Sequence, residues 1–182
     1  MKYVLRIIGG LYRGKKLHFP DVDGLRPTPD RIRETLFNWL MHDIKEARCL
    51  DAFAGSGALG LEAFSRGAAQ VVFLEQSPHA YANLKNIVTH FNSPKLKVTH
   101  TDALSYLQQS QEEFDIIFLD PPFAQNYLPQ CISNITHSHV LKPGGLIYLE
   151  SASLVQLDEM QWRPLKVKQA GQVVYRLFEK LH

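Results

Sequence analysis

Cysteine is nearly absent from this chain, and a membrane-length apolar run is missing altogether. There are two cysteines, Cys49 and Cys131, in 182 residues. That is too few for a disulfide scaffold. Cys49 sits inside a strand-like apolar run and Cys131 on a helix-like core segment, so both are expected as unreactive free thiols of a reducing compartment. No stretch approaches the roughly 20 apolar residues that a membrane helix needs, and the opening MKYVLRIIGG has no long apolar core before a cleavage site. The expectation is a cytosolic protein without a membrane anchor. His137 and His139 stand two apart with no third ligand at suitable spacing, so they read as surface histidines and no metal is expected. There are no internal repeats or low-complexity segments, which excludes solenoids and disordered tails.

Excess charge is also scarce. The net formal charge is +2, too little to name a partner, but its placement is uneven. Residues 1–33 hold Lys2, Arg6, Arg13, Lys15, Lys16, Arg26, Arg31 and Arg33 against Asp21, Asp23 and Asp30. Such a segment suits a polyanion and equally suits a solvated basic hairpin. Arg6, Arg13, Lys15, Lys16, Arg31 and Arg33 are the candidates for backbone contacts to nucleic acid.

The length suggests one domain with a small appendage. Residues 1–27 read as a basic hairpin and linker and residues 28–182 as the main domain. Tyr3–Ile8 and Lys15–Phe19 are strand-like, with Gly9, Gly10 and Gly14 between them, and Pro20–Pro29 reads as a linker. Thr28 is expected to cap a helix with Pro29 at its first position, and Ile32, Leu36, Leu40 and Ile44 give that helix an apolar side. From Arg48 onward, strand-like runs (Cys49–Phe53, Gln70–Leu74, Lys97–His100, Phe114–Leu119, Leu146–Leu149) alternate with helix-like segments near 58–66, 78–91, 103–110 and 125–137. That alternation predicts a parallel sheet covered on both faces. Lys142–Gly145 (KPGG) reads as a turn. Arg163–Lys168 and Val173–Glu179 leave no room for a crossover helix and should form an antiparallel hairpin at the sheet edge. The fold class is therefore α/β and Rossmann-like: a mostly parallel seven-stranded sheet, an antiparallel C-terminal hairpin and a small N-terminal β-hairpin. Trp39, Trp162, Tyr175 and Phe178 read as packing residues.

Two motifs carry chemistry. In DAFAGSGALG (51–60), Gly55, Gly57 and Gly60 fit G-x-G-x-x-G between a strand and a helix, the setting of a nucleotide-binding turn. Glu75, at the next strand end, is placed to accept hydrogen bonds from ribose hydroxyls. Asp102 is placed to take an adenine amino group, to cap the helix starting at Ala103, or both. Asp51 would repel a pyrophosphate but suits an ammonium or a sulfonium. Three acids at successive strand ends favour S-adenosyl-L-methionine over a dinucleotide. The second motif is FLDPPF (118–123). Asp120 and the carbonyl of Pro121 can accept both hydrogens of a planar amine and localise its lone pair. Pro121 and Pro122 stiffen the backbone, and Phe123 offers a stacking face worth ~1–3 kcal/mol. Asp120, Pro121, Pro122 and Phe123 are thus the candidate catalytic group for direct transfer from sulfur to nitrogen, with Asp120 chiefly orienting the amine. The bland alternative for DPPF is a rigid turn.

These residues resemble the RsmD family of 16S ribosomal RNA guanine-N2 methyltransferases, within the class I S-adenosylmethionine-dependent fold. The likeness spans nearly the whole chain: RIIGG at 6–10, RGKKL at 13–17, RPTPDRIRETLFNWL at 26–40, LDAFAGSGALGLEAFSRGA at 50–68, FDIIFLDPPF at 114–123 and QAGQVVYR at 169–176. The resemblance implies methyl transfer to a guanine 2-amino group in 16S rRNA, free or within an assembling 30S subunit, by a monomer. It carries cofactor contacts onto Asp51, Gly55, Gly57, Glu75 and Asp102, with Ala103 beside the last and Thr28 closing over the amino-acid end. Target-base contacts fall on Asp120–Phe123. An N6-adenine or protein-glutamine methyltransferase, a non-catalytic RNA-binding protein and, least well, a dehydrogenase remain as alternatives.

Overall fold

The computed structural model describes residues 2–20 and 27–182. Most of the expected linker, with Asp21, Asp23 and Arg26, lies outside the described residues. The chain forms β1 (Lys2–Arg6), β2 (Lys16–Pro20), α1 (Asp30–Trp39), β3 (Arg48–Asp51), α2 (Ala58–Ser65), β4 (Gln70–Glu75), α3 (Pro78–Thr89), β5 (Leu96–His100), α4 (Ala103–Gln109), β6 (Phe114–Leu119), α5 (Leu128–Thr136), β7 (Leu141–Ser151), β8 (Trp162–Ala170) and β9 (Val173–Lys180). β1 and β2 pair antiparallel, and the other seven strands make one sheet in the order β5-β4-β3-β6-β7-β9-β8. β3 to β7 run parallel, while β9 runs antiparallel to both of its neighbours. The expected fold class is the one observed.

Side chains alternate across a strand, so apolar runs covered on both faces need two helical layers. Cys49, Val71, Phe73, Ile116, Phe118 and Tyr148 pack on the side of α1, α2 and α3. Leu50, Val72, Leu74, Ile117, Leu119 and Ile147 pack on the side of α4 and α5. The chain winds outward from β3 to β5, then returns to place β6 on the other flank of β3. This reversal opens a crevice at the carboxyl ends of β3 and β6. Asp51 pairs in register with Phe118, which brings the end of β3 beside Asp120.

Three local expectations are corrected. Thr28 does not cap α1: Pro29 is the capping residue and makes no side-chain cap bond. The Thr28 hydroxyl donates instead to Asp120 Oδ2 at 3.1 Å. The KPGG segment is a bulge inside β7 rather than a turn before it. Pairing jumps from Phe114–Leu141 to Ile116–Leu146, and Gly144 supplies the left-handed backbone (φ 79°) that the extra residues need. Arg33 is withdrawn from any surface role, because its side chain is fully buried and paired with Glu62 and Asp30.

The hairpin is packed into the same core as the helices, through Leu5, Ile7, Leu17 and Phe19. Its anchor is polar. Glu62, fully buried on α2, accepts from the backbone N–H of Ile8 (3.0 Å) and Gly9 (2.9 Å), and from Arg66 Nε (2.9 Å) and Arg33 Nη1 (3.3 Å). Arg33 also donates to the carbonyls of Arg6 (3.0 Å) and Thr28 (3.2 Å). No helix among the described residues is long and apolar enough to cross a membrane, and no metal-ligating cluster occurs among them. Removing one member of a buried ion pair strands the other in a dry interior. Glu62→Ala should therefore lower stability by about 3–5 kcal/mol in urea unfolding. A midpoint unchanged from the parent would show that Glu62 does not hold the hairpin and α1 together.

Candidate functional site

A cleft of about 880 Å3 opens where the strands end, walled by the β3–α2 turn, the ends of β4, β6 and β7, and residues 27–29. The β3–α2 turn is tight because two glycines take positive φ, Gly55 at 54° and Gly57 at 80°. Gly55 lines the cleft, and its N–H donates to Glu75 Oε2 at 2.9 Å. The other oxygen of Glu75 accepts from Ser77 N–H at 2.9 Å. The carboxylate is thereby fixed at the rim with lone pairs left for a ligand. Gly57 serves packing instead and is not part of the cleft wall: a Cβ there would lie 2.5 Å from Leu84 Cδ1. Gly60 has the same use, since a Cβ would lie 2.2 Å from the Phe73 ring, and only glycine lets α2 sit this close to β4.

Asp51 is buried at the foot of the cleft and accepts from Gly60 N–H at 2.9 Å. Burial pushes its carboxyl up to about 7; the Gly60 N–H opposes this, and the negative charges of Asp120 and Glu75 add to it. Asp102 caps α4, accepting from Ser105 N–H at 3.0 Å, and its Ser105 hydrogen bonds hold it below the usual carboxylate range. It lines the cleft together with Ala103. Asp102 therefore performs the capping role while still facing the cavity.

Asp120, Pro121, Pro122 and Phe123 form the opposite wall. Gln125 N–H donates to the Pro122 carbonyl at 3.2 Å, closing the turn, and the Phe123 side chain is left half exposed. One residue that the sequence reading passed over completes this wall, supported from behind by Tyr148. Glu150, at the end of β7, is buried and faces the cleft. The Tyr148 hydroxyl donates to its Oε1 at 2.7 Å, and the β6–β7 register places its carboxyl beside Asp120. Burial raises both Asp120 and Glu150; the neighbouring Asp120 charge drives Glu150 further, to about 9. Two buried carboxyls this close hold one proton between them at neutral pH. A signal for Glu150 was present in the sequence: IYLE at 147–150 is an apolar run ending in an acid, like CLD at 49–51, VFLE at 72–75 and IFLD at 117–120.

Five carboxylates therefore line the cleft (Asp51, Glu75, Asp102, Asp120 and Glu150), and no lysine or arginine does among the described residues. This acceptor set opposes a pyrophosphate and fits a cation bearing hydroxyl and amine donors. Outside the cleft, Arg6, Arg13, Lys15, Lys16 and Arg31 are exposed, and the Lys15 ammonium rests 4.4 Å from the centre of the Phe91 ring. Arg31 stands one turn after Pro27–Pro29, which line the cleft.

The chain matches the family described as conserved hypothetical protein 95 over residues 5–179. It is 46% identical over 180 residues to ribosomal RNA small subunit methyltransferase D of Haemophilus influenzae, covering 96% of this chain and 93% of that protein. With the protein of the same name from Escherichia coli K12 it shares 45% identity over 179 residues, covering 97% and 90%. A solved Escherichia coli structure described as a methyltransferase, yhhF, superposes with a TM-score of 0.90 at 40% identity, over 98% of this chain and 99% of that one. A methyltransferase solved in complex with SAH, SMU.776, shares the fold at a TM-score of 0.74 and 15% identity, over 98% of this chain and 56% of that one.

A carboxyl raised by burial stabilises the fold while it holds its proton and costs stability once it ionises. For Asp51 that cost grows as pH rises from about 4 through about 7. Asp51→Asn, whose amide oxygen can still accept from Gly60, should raise the Tm of the ligand-free protein by several degrees at pH 8. The difference should vanish near pH 4. A pH-independent difference between the two proteins would refute an ionisable, desolvated Asp51.

Proposed function

The chain belongs to the RsmD family, and on that premise we propose that it transfers the methyl group of S-adenosyl-L-methionine to the exocyclic 2-amino group of a guanine in 16S rRNA. The substrate is small-subunit RNA, free or within the 30S particle, and the protein acts as a cytosolic monomer. One observation carries this reading. The amine-binding wall Asp120–Phe123 and the acid-rich nucleotide end share a single cleft, in which the Thr28 hydroxyl holds Asp120 in place.

The residues fit the donor. Glu75 has lone pairs free for ribose hydroxyls, Asp102 faces the cavity for the adenine amine, and Asp51 with Thr28 suits the cationic amino-acid end. When bound, the donor supplies an electrophilic methyl on sulfur: the amine's lone pair makes the new N–C bond, the C–S electron pair stays on sulfur, and a proton leaves nitrogen. The chain's own contribution is alignment and electrostatics. Asp120 accepts one N–H and the Pro121 carbonyl the other, which frees the lone pair toward the methyl. The Thr28 hydroxyl limits rotation of the Asp120 carboxylate. Phe123 stacks on the base. Asp120 is raised by burial, so it can also take up the departing proton before passing it to water.

Arg6, Arg13, Lys15, Lys16 and Arg31 supply phosphate contacts, whose strength falls with salt because counterions are released on binding. Arg33 supports this surface from within.

Rearing cells without the protein and mapping methylated guanines in their rRNA by mass spectrometry should show one N2-methylguanine missing from 16S rRNA. Loss of label only from DNA or protein would refute the assignment. Asp120→Ala should lower kcat at least about a hundredfold, the scale of losing one such oriented electrostatic contact, while S-adenosylhomocysteine affinity stays near that of the parent. Undiminished turnover would remove Asp120 from the amine site. Lys15→Ala and Arg31→Ala should each weaken RNA binding and reduce its salt slope by about one unit. Unchanged slopes at both positions would place the RNA elsewhere.

A further inference from the structure

A second cavity, of about 400 Å3, lies against the other side of the Asp120–Phe123 segment. Its walls come from the β6–α5 loop and from residues 151–158, which follow β7. It shares Pro121, Pro122, Phe123, Tyr127 and Glu150 with the main cleft. Glu150 is the one carboxylate common to both among the described lining residues. It therefore stands in the wall shared by the donor's cleft and a space large enough for a purine.

Asp120 and Glu150 follow the paired residues Leu119 and Leu149, so two carboxyl groups meet at this wall, and the hydroxyls directed at them are those of Thr28 and Tyr148. Such a pair is complementary to an edge that offers donors side by side. Guanine offers one: its 2-amino group lies next to N1–H. Adenine and cytosine each place an acceptor nitrogen next to their amino group, and uracil sets a single N–H between two carbonyls. Enzymes that take a base out of the stack read it by this edge.

We infer that Glu150 accepts the N1–H of the extruded guanine, beside Asp120 on the 2-amino group, and is the residue that selects guanine. This rests on the guanine-N2 function proposed above. In the absence of a base, the raised carboxyl of Glu150 satisfies itself with a proton shared with Asp120. The guanine N1–H takes that proton's place between protein and ligand, and the displaced proton goes to solvent. The cationic donor in the adjoining cleft offsets the additional negative charge. A merely structural Glu150 would leave base discrimination unaltered.

The test compares 16S rRNA carrying guanine at the methylated position with the same RNA carrying 2-aminopurine there. 2-Aminopurine keeps the 2-amino group but has a bare acceptor at N1. The parent protein should favour guanine about tenfold or more in kcat/KM, the scale of one hydrogen bond to a charged acceptor. Glu150→Gln should bring the ratio to about one or reverse it, because the amide NH2 can turn toward N1 of 2-aminopurine. Tyr148→Phe, which leaves Glu150 ionisable but frees it from its hydroxyl partner, should reduce the preference several-fold with S-adenosylhomocysteine affinity unchanged, and it decides the matter if Glu150→Gln does not fold. Equal use of the two RNAs by the parent protein, or a full guanine preference retained in the folded variants, overturns the inference. Failure of the parent protein to methylate the guanine RNA would instead overturn the function it rests on.

Discussion

Carboxylates crowded at one edge of a sheet repel one another, and everything around this cleft is arranged to tolerate that. Each acid is held by a donor that the fold supplies. Gly60 N–H meets Asp51, the N–H groups of Gly55 and Ser77 meet Glu75, Ser105 N–H meets Asp102, and Thr28 meets Asp120. Where donors run short, a proton takes their place, as between Glu150 and Asp120. A site with this much acceptor capacity and no basic residue lining it among the described residues is incomplete without a cationic, donor-rich ligand. The same repulsion that makes the empty cleft costly makes binding of such a ligand favourable.

α2, whose first turn lines the cleft, contributes to the same end through a chain of hydrogen bonds. Glu62 on α2 gathers the hairpin backbone, Arg66 and Arg33; Arg33 donates to the Thr28 carbonyl, and the Thr28 hydroxyl donates to Asp120. A buried ion pair is seldom worth much stability against an apolar replacement. Here it has a positional use: it couples the basic hairpin to Thr28, the residue that holds Asp120. The hairpin and the chemical site are thereby parts of one packed unit.

The cleft and the second cavity share a wall of two prolines, a phenylalanine and a glutamate. Pro121 and Pro122 limit how far that wall can move, which suits the proposed approach of a methyl donor and a base on its two sides. Phe123 stays half exposed, an apolar ring left uncovered and free to stack.

Residues 50–120 show how much the sequence determined alone. Apolar runs ending in acids, glycines at fixed offsets and helix-period segments between them dictate a doubly covered parallel sheet, because no other arrangement buries both faces of every strand. The reversal of strand order and the DPPF turn then place the acids at one edge. Local pattern could not reveal which polar groups end up inside. Arg33 looks like any other arginine of a basic segment until α1 folds over Glu62, and Thr28 looks like a helix cap until Asp120 arrives from 92 residues away. The KPGG segment carries every mark of a turn, and only the pairing of β6 with β7 makes it a bulge. Glu150 gains its partner Asp120 solely because β6 and β7 are neighbours in the sheet. Periodicity is a property of a few adjacent residues and is legible in one dimension. Burial and proton sharing depend on what distant segments bring, and only the assembled structure decides them.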